Sequence, residues 1–227
     1  MYSHVAPLSS DDHETTFALA TKWGFSARQT VVSVSLLEAE ALAQEYVLVF
    51  SKEPQGPSSL IALLGLAGRN AYVDAAGQWQ ARTIPARLRL YPFMLAAGQT
   101  PGQYVVVRDA DAPHFQGEAG QPLFDGQGQP TPLVQQVTAA LIEQQRSQLE
   151  AQALTQQLEV AGLIDERRID VQLKDGTWRS YAGFKAVVEE RLAALDEATR
   201  TELQQSGALK LLELHRKSLA HFGRLIA

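Results

Sequence analysis

Apolar residues follow strand-like patterns through most of the first half of the chain. Residues 30–36 alternate apolar and polar positions within a β-branched run, while residues 46–51 and 59–66 are nearly continuous apolar segments. Residues 104–108 repeat the pattern, and residues 37–44 have the composition of a short helix. The first half is therefore predicted to be rich in β-strands and to contain one short helix.

The second half changes to helical patterns after a loop rich in glycine and proline at residues 116–132. Thr131 followed by Pro132 is typical of a helix N-cap with proline at the first helical position. Apolar positions then recur at helical spacing from residue 133 to about residue 160, where Gly162 is a plausible end signal. A long helix is predicted over this segment.

Asp175-Gly176 lies between two alternating segments and predicts a β-hairpin near residues 168–182. Further helices are predicted over residues 184–195, 197–205 and 209–226. The fold class expected from these patterns is α+β. It comprises a β-rich N-terminal unit at residues 1–132 and a mainly helical C-terminal unit at residues 133–227, either as two domains or as one co-folded domain.

The composition of the chain limits the kinds of binding partner and metal site that it could have. The chain has 227 residues, no cysteine and a formal net charge of −5, and its Lys and Arg residues are scattered. Nucleic acid and membrane are therefore not predicted partners, and thiolate metal sites and disulfides are excluded. Its first residues lack the apolar run of a signal peptide, and its longest apolar stretch is too short to span a bilayer. A cytoplasmic location is expected.

Two arginines stand out as candidate ligand-binding residues. If residues 87–93 form a strand, Arg87, Arg89 and Tyr91 share one face, and paired guanidinium groups bind carboxylate or phosphate. The alternative is a solvated sheet face on which the arginines pair with acids. The candidate ligand-binding residues are Arg87, Arg89, Tyr91, Asn70 and Asp109.

Asp109, Asp111 and His114 are weak candidates for metal ligands, because two carboxylates and an imidazole at this spacing suit a divalent ion. An ordinary turn explains the same residues, since Asp side chains cap nearby backbone amides. No cofactor is predicted, because the chain contains neither G-x-G-x-x-G nor H-E-x-x-H. Catalytic residues are not identified from the sequence.

Two further groups are interpreted as structural. Glu38, Glu40 and Glu45 are expected on a solvated helix face. His215 and Ser218 lie three residues apart on a predicted helix, but no acid or oxyanion hole accompanies them. His215 is therefore expected to be half-buried and to bond across to another element.

Several spaced blocks follow one another along the chain. They are residues 37–50, 62–65 with 70–74, Gly77 and Trp79, 84–87 with 89–93, 123–125 with Gly128, 162–164, 175–176 with 183–184, Val187, Glu189 and Leu195, Gly207 with Leu209, and 215–219. Together these blocks resemble the SapC family over about residues 13–226. Val47 stands where the family usually has proline, and Leu90 stands where it usually has arginine or a similar residue.

The resemblance implies an accessory role in a bacterial modification or export pathway linked to surface-layer proteins, without an assigned reaction. Three functions follow as expectations. The first is an accessory protein that binds a protein or peptide partner, and the second is an enzyme or enzyme subunit with a small anion pocket near Arg87, Arg89 and Tyr91. The third is a structural interaction module that forms a homodimer or docks a partner chain through an apolar helix face comprising Val134, Val137 and Leu141.

Overall fold

A computed structural model describes residues 2–10, 12, 15–53, 56–66, 68–100, 102–115, 120–172 and 176–226. Its fold is α+β, as predicted. The strands are β1 (Val5–Pro7), β2 (Thr16–Phe17), β3 (Val31–Ser33), β4 (Val47–Ser51), β5 (Leu60–Leu63), β6 (Phe93–Ala97), β7 (Tyr104–Asp109), β8 (Gln121–Pro122), β9 (Ile164–Gln172) and β10 (Trp178–Val187). The α-helices are α1 (Leu36–Leu42), α2 (Ala86–Arg89), α3 (Pro132–Val160), α4 (Glu189–Ala193), α5 (Glu197–Ser206) and α6 (Ala208–Ser218).

A five-stranded antiparallel sheet forms the centre of the molecule, with strand order β3-β5-β4-β10-β9. All five residues of β4 are buried, as its continuous apolar sequence predicts for a central strand. Helices α3 and α6 pack against this sheet and bury its apolar side chains in the larger of two hydrophobic clusters. The sheet therefore joins strands from both halves of the chain.

Two side chains of α6 form hydrogen bonds with the backbones of β4 and β10 beyond the point where these strands pair with each other. The pairing of Lys185 with Phe50, continued by two residues, would bring Val187 opposite Leu48. Instead, His215 lies between them, with Nδ1 2.7 Å from the Leu48 carbonyl oxygen and Nε2 accepting from the Val187 N–H at 3.2 Å. Ser218 Oγ accepts from the Leu48 N–H at 2.9 Å. His215 thus bonds to other elements as predicted, and it is fully rather than half buried.

A smaller sheet, with strand order β1-β7-β6, and the two-stranded sheet β2-β8 pack beside the first half of α3. Val134 and Leu141 of α3 are buried in the cluster between them, and Val137 packs against it. Val134 and Leu141 are covered by their own chain and are not available for the predicted homodimer contact, whereas Val137 is half-buried. Homodimer formation itself stays a prediction.

Two predicted elements are wrong and one is confirmed in part. Residues 87–93 are not a strand, because α2 occupies residues 86–89 and β6 begins only at residue 93. Residues 184–187 belong to β10, so the helix predicted over 184–195 begins only at Glu189. The hairpin near 168–182 is confirmed as β9 and β10, although residues 173–175 of its turn lie outside the described residues.

Candidate functional site

A cleft of about 660 Å³ opens between the first half of α3 and the elements facing it, which are α1, α2, β2 and the segment after β2. Its walls are mainly apolar and include Phe17, Leu88 and Val137. Leu19 and Leu37 also line the cleft, and their side chains are 77% and 62% exposed. An apolar opening with polar groups among its lining is the usual form of a ligand-binding pocket.

A buried carboxylate connects three of the helices that surround the cleft. Glu38 Oε2 accepts from the backbone N–H of Ala86 in α2 at 2.6 Å. Glu38 Oε1 accepts from Gln144 Nε2 of α3 at 2.9 Å and from the Ser35 N–H at 3.4 Å. Burial raises the pKa of Glu38, although these hydrogen bonds and the Arg89 charge act in the opposite direction. Both oxygens of Glu38 therefore already hold structural hydrogen bonds.

The prediction that the three glutamates lie on a solvated face is correct only for Glu40, which is exposed and forms an ion pair with Lys210. Glu38 is buried because α3 packs over the start of α1, where Ser147 Oγ also accepts from the Leu37 N–H at 3.0 Å. Glu45 is half-buried, and its carboxylate accepts from the backbone N–H groups of residues 82 and 83.

Arg87 and Arg89 point to different surroundings. Because α2 is helical, residues two positions apart diverge by about 200° around its axis. The Arg87 guanidinium lies 5.2 Å from the ring centre of Tyr2, in a cation–π contact. Arg89 is exposed and lines the cleft. The two guanidinium groups thus do not form the joint anion site that a strand would have produced.

Tyr91 and Asp109 anchor the N-terminal segment. Asp109 is fully buried and accepts from the N–H and hydroxyl of Ser3, from the N–H of His4 and from the Tyr91 hydroxyl at 2.9 Å. Burial alone would raise the pKa of Asp109, but these hydrogen bonds outweigh it and lower the pKa. Burial, reinforced by the neighbouring Asp109, raises the pKa of Tyr91. Four donors on one carboxylate indicate a structural role.

Asn70 is buried apart from these residues. Its Nδ2 donates to the Ser26 carbonyl at 3.1 Å, and its Oδ1 accepts from the Tyr72 N–H at 2.9 Å. It therefore joins the turn around Ser26 to the segment after β5, and it does not line the cleft.

The three candidate metal ligands have separate surroundings. Asp111 is exposed and lies 3.5 Å from His4, whereas Asp109 is buried as described. His114 lines the cleft and stacks on Phe17, with ring centres 5.7 Å apart and planes 3° apart. Within the described ranges, no three His, Asp or Glu side chains form a group that could hold a metal ion.

His114 also has a buried polar atom without a hydrogen-bond partner among the described residues. Its ring is 6% exposed, and Nδ1 has no hydrogen-bond partner among the residues that the structure describes. Burial lowers the pKa of His114 to about 4, so the ring is neutral at physiological pH. The cleft wall thus contains a neutral imidazole held by stacking.

The family model for SapC matches residues 8–225 of the 227-residue chain. The chain belongs to the SapC family. A search of curated proteins and a search of solved structures each return no match to this SapC-family chain. Among the helices in its described residues, none is both long and apolar enough to cross a membrane.

Sequence reasoning did not single out Gln144 or Phe17 of the cleft. It placed Glu38 on a solvated face and assigned the apolar face of α3 to a contact with another chain. Only Glu38 carries a local signal, because Ser35 and Glu38 have the spacing of a helix capping box. The bond between Glu38 and Gln144 joins residues 106 positions apart, and no local pattern predicts it.

Proposed function

We propose that this SapC-family chain is a binding protein that holds an apolar side chain of a protein or peptide partner in the cleft. The observation that carries the proposal is the exposed apolar rim formed by Leu19 and Leu37 above apolar walls. Exposed leucines in the lining of a cleft are a feature of binding grooves, since a partner removes them from water. Burial of one such side chain contributes about 1.5–3 kcal/mol.

The polar groups support binding rather than a reaction at this site. Both oxygens of Glu38 hold hydrogen bonds between helices, and the Tyr91 hydroxyl donates to Asp109. Arg89 is an exposed cation in the cleft, and its guanidinium suits a carbonyl or carboxylate of the partner backbone. The proposed ligand is thus a peptide segment with one apolar side chain in the cleft and an oxygen atom near Arg89.

Selection from a random peptide display library tests this proposal. The immobilised wild-type chain is expected to enrich peptides with one large apolar residue. Leu37→Glu is expected to weaken their binding by at least about tenfold, since it puts a charge on the rim. Val160→Glu is the matched control, because Val160 is 84% exposed at the far end of α3 and outside the cleft lining.

The control variant is expected to bind the selected peptides as tightly as the wild type. The proposal fails if the library yields no enriched peptide. It fails equally if Leu37→Glu and Val160→Glu bind the selected peptides alike.

A further inference from the structure

Strand β9 forms one edge of the five-stranded sheet and is nine residues long. Residues 165–168 are exposed, and in the part of the chain that the structure describes no strand pairs with its outer side. A long open edge presents unpaired backbone N–H and C=O groups and is a template for pairing with another strand. The question is which strand fits this edge.

The backbone orientation of β9 follows from its neighbours. The Val188 N–H donates to the Leu163 carbonyl at 2.8 Å, so the carbonyl group of Leu163 faces β10. The side to which the backbone groups point alternates from one residue to the next along a strand. The pairing of β9 with β10 has one irregularity, where β10 advances three residues while β9 advances two. Since the extra residue is in β10, the alternation along β9 is not interrupted. The backbone groups of Ile164, Glu166, Arg168 and Asp170 therefore face the open edge. Consistently, the Glu166 N–H donates to the adjacent Asp165 side chain at 2.8 Å.

The charge sequence of this edge is complementary to itself. Residues 165–168 read Asp-Glu-Arg-Arg, with isoleucine on each side. Reversal of the strand direction exchanges the acidic and basic halves. An antiparallel second copy of β9 can therefore bring Glu166 of each chain against Arg168 of the other.

We propose that β9 pairs antiparallel with β9 of a second copy of this chain, about a two-fold axis at Arg167, and joins two five-stranded sheets into one of ten strands. In this register Glu166 lies opposite Arg168 of the second copy, and Arg168 lies opposite Glu166. Residues 164–170 of each copy are paired. Asp165 lies diagonal to Arg167 of the second copy and compensates the contact between the two Arg167 side chains.

The neighbouring registers fit less well. Two opposed residues must have the same backbone orientation, either both toward the shared edge or both away from it. The axis must therefore pass through a residue rather than between two. An axis at Glu166 places this glutamate opposite itself and pairs only residues 164–168. An axis at Arg168 places Arg168 opposite itself and Glu166 opposite Asp170.

The existing contacts of these side chains leave them available. Glu166 forms an ion pair with Lys52 at 2.8 Å, and Arg168 forms one with Asp170 at 3.1 Å. The side chains of Glu166 and Arg168 are 57% and 67% exposed. Exposed pairs of this kind stabilise a fold only slightly, so contacts with the second copy can replace or share them.

Sedimentation velocity over a range of concentrations tests the proposal. The wild type is expected to reach twice the 24.8 kDa mass of one chain. Glu166→Arg and Arg168→Glu are each expected to weaken association by at least about tenfold, because each places like charges opposite one another twice in the dimer. The double variant with both substitutions restores the opposite charges and is expected to dimerise again.

Arg146→Glu is the matched control, since Arg146 is an exposed ion-pair partner on α3 rather than on β9, and it is expected to dimerise like the wild type. Thermal unfolding of each variant confirms that it is folded. A monomeric wild type, single variants that still dimerise, or a double variant that stays monomeric would each overturn the proposal.

A cysteine placed on the axis tests the register separately. Arg167 would face Arg167 of the second copy with Cα atoms about 4.5 Å apart, which is within disulfide range. Because the chain has no cysteine, Arg167→Cys is expected to form a covalent dimer in a glutathione redox buffer. Asp170→Cys would place the two sulfur-bearing residues about 20 Å apart and is the control. Equal cross-linking of the two variants would exclude this register.

Discussion

His114 and His215 are both buried and neutral, but their nitrogen atoms have different roles. Both ring nitrogens of His215 hold hydrogen bonds to the strands β4 and β10, and burial lowers the pKa of His215. In the described residues, His114 Nδ1 has no partner, and its ring is held by contact with Phe17. An apolar ring should therefore be tolerated at residue 114, because it removes an unsatisfied polar atom.

His114→Phe is expected to change how stability depends on pH. The pKa of His114 is about 4 in the folded chain and about 6.5 when unfolded. The wild type should thus keep its stability above about pH 6.5 and lose it as the pH falls towards 4, since only the unfolded state takes up the proton. At pH 5, relative to pH 7.5, the variant should gain about 2 kcal/mol over the wild type. Urea denaturation at both pH values measures this difference, and parallel pH curves would contradict it.

Elements were predicted well where the local pattern and the tertiary surroundings agree. The continuous apolar run of β4 matches its central position, and Thr131 with Pro132 correctly marks the start of α3. Residues 87–93 alternate like a strand, yet Glu38 accepts from the Ala86 N–H and supports a helical turn there. That carboxylate lies 48 positions away in the sequence, so the local pattern could not indicate it.

The second part of β10, residues 184–187, and the cleft were missed for a related reason. Residues 184–187 have no local feature that excludes a helix, and their strand structure follows from pairing with β4 and β9 on either side. The cleft likewise combines β2 with the first half of α3, which are more than 100 residues apart. Of the predicted ligand-binding residues, Arg89 and Tyr91 line the cleft. Arg89 is exposed, whereas Tyr91 is buried.

The turn after β5 depends on a close approach of two backbone segments at Gly65. A Cβ atom at this position would lie well inside the van der Waals radius of the Arg69 carbonyl oxygen. Gly65→Ala is therefore expected to shift the backbone and lower the free energy of unfolding by about 2–4 kcal/mol. Gly24→Ala is the control, since a Cβ atom added at Gly24 would have no neighbour within 4 Å, and it should change stability by less than about 0.5 kcal/mol. Equal urea midpoints for the two variants would contradict this account.

At the scale of the whole molecule, the two halves of the chain share one sheet. Strand β4 from the first half pairs with β10 from the second, and His215 and Ser218 of α6 satisfy the backbone of Leu48. The division at residue 132 stays a prediction, and the shared sheet leads us to expect that both halves fold together. Separation would expose the edge of β4 and leave the Leu48 amide and carbonyl without these partners.

A fragment of residues 1–132 is therefore expected to remain unfolded, whereas the full chain should unfold in one cooperative transition. Amide proton dispersion in a two-dimensional NMR spectrum measures folding of the fragment. In the full chain, circular dichroism and tryptophan fluorescence should give the same urea midpoint. Two of the three tryptophans, Trp23 and Trp79, report on the first half, while α3 and α6 supply most of the helix signal. A well-dispersed fragment spectrum, or two separate midpoints, would show that the shared sheet is not needed for the first half to fold.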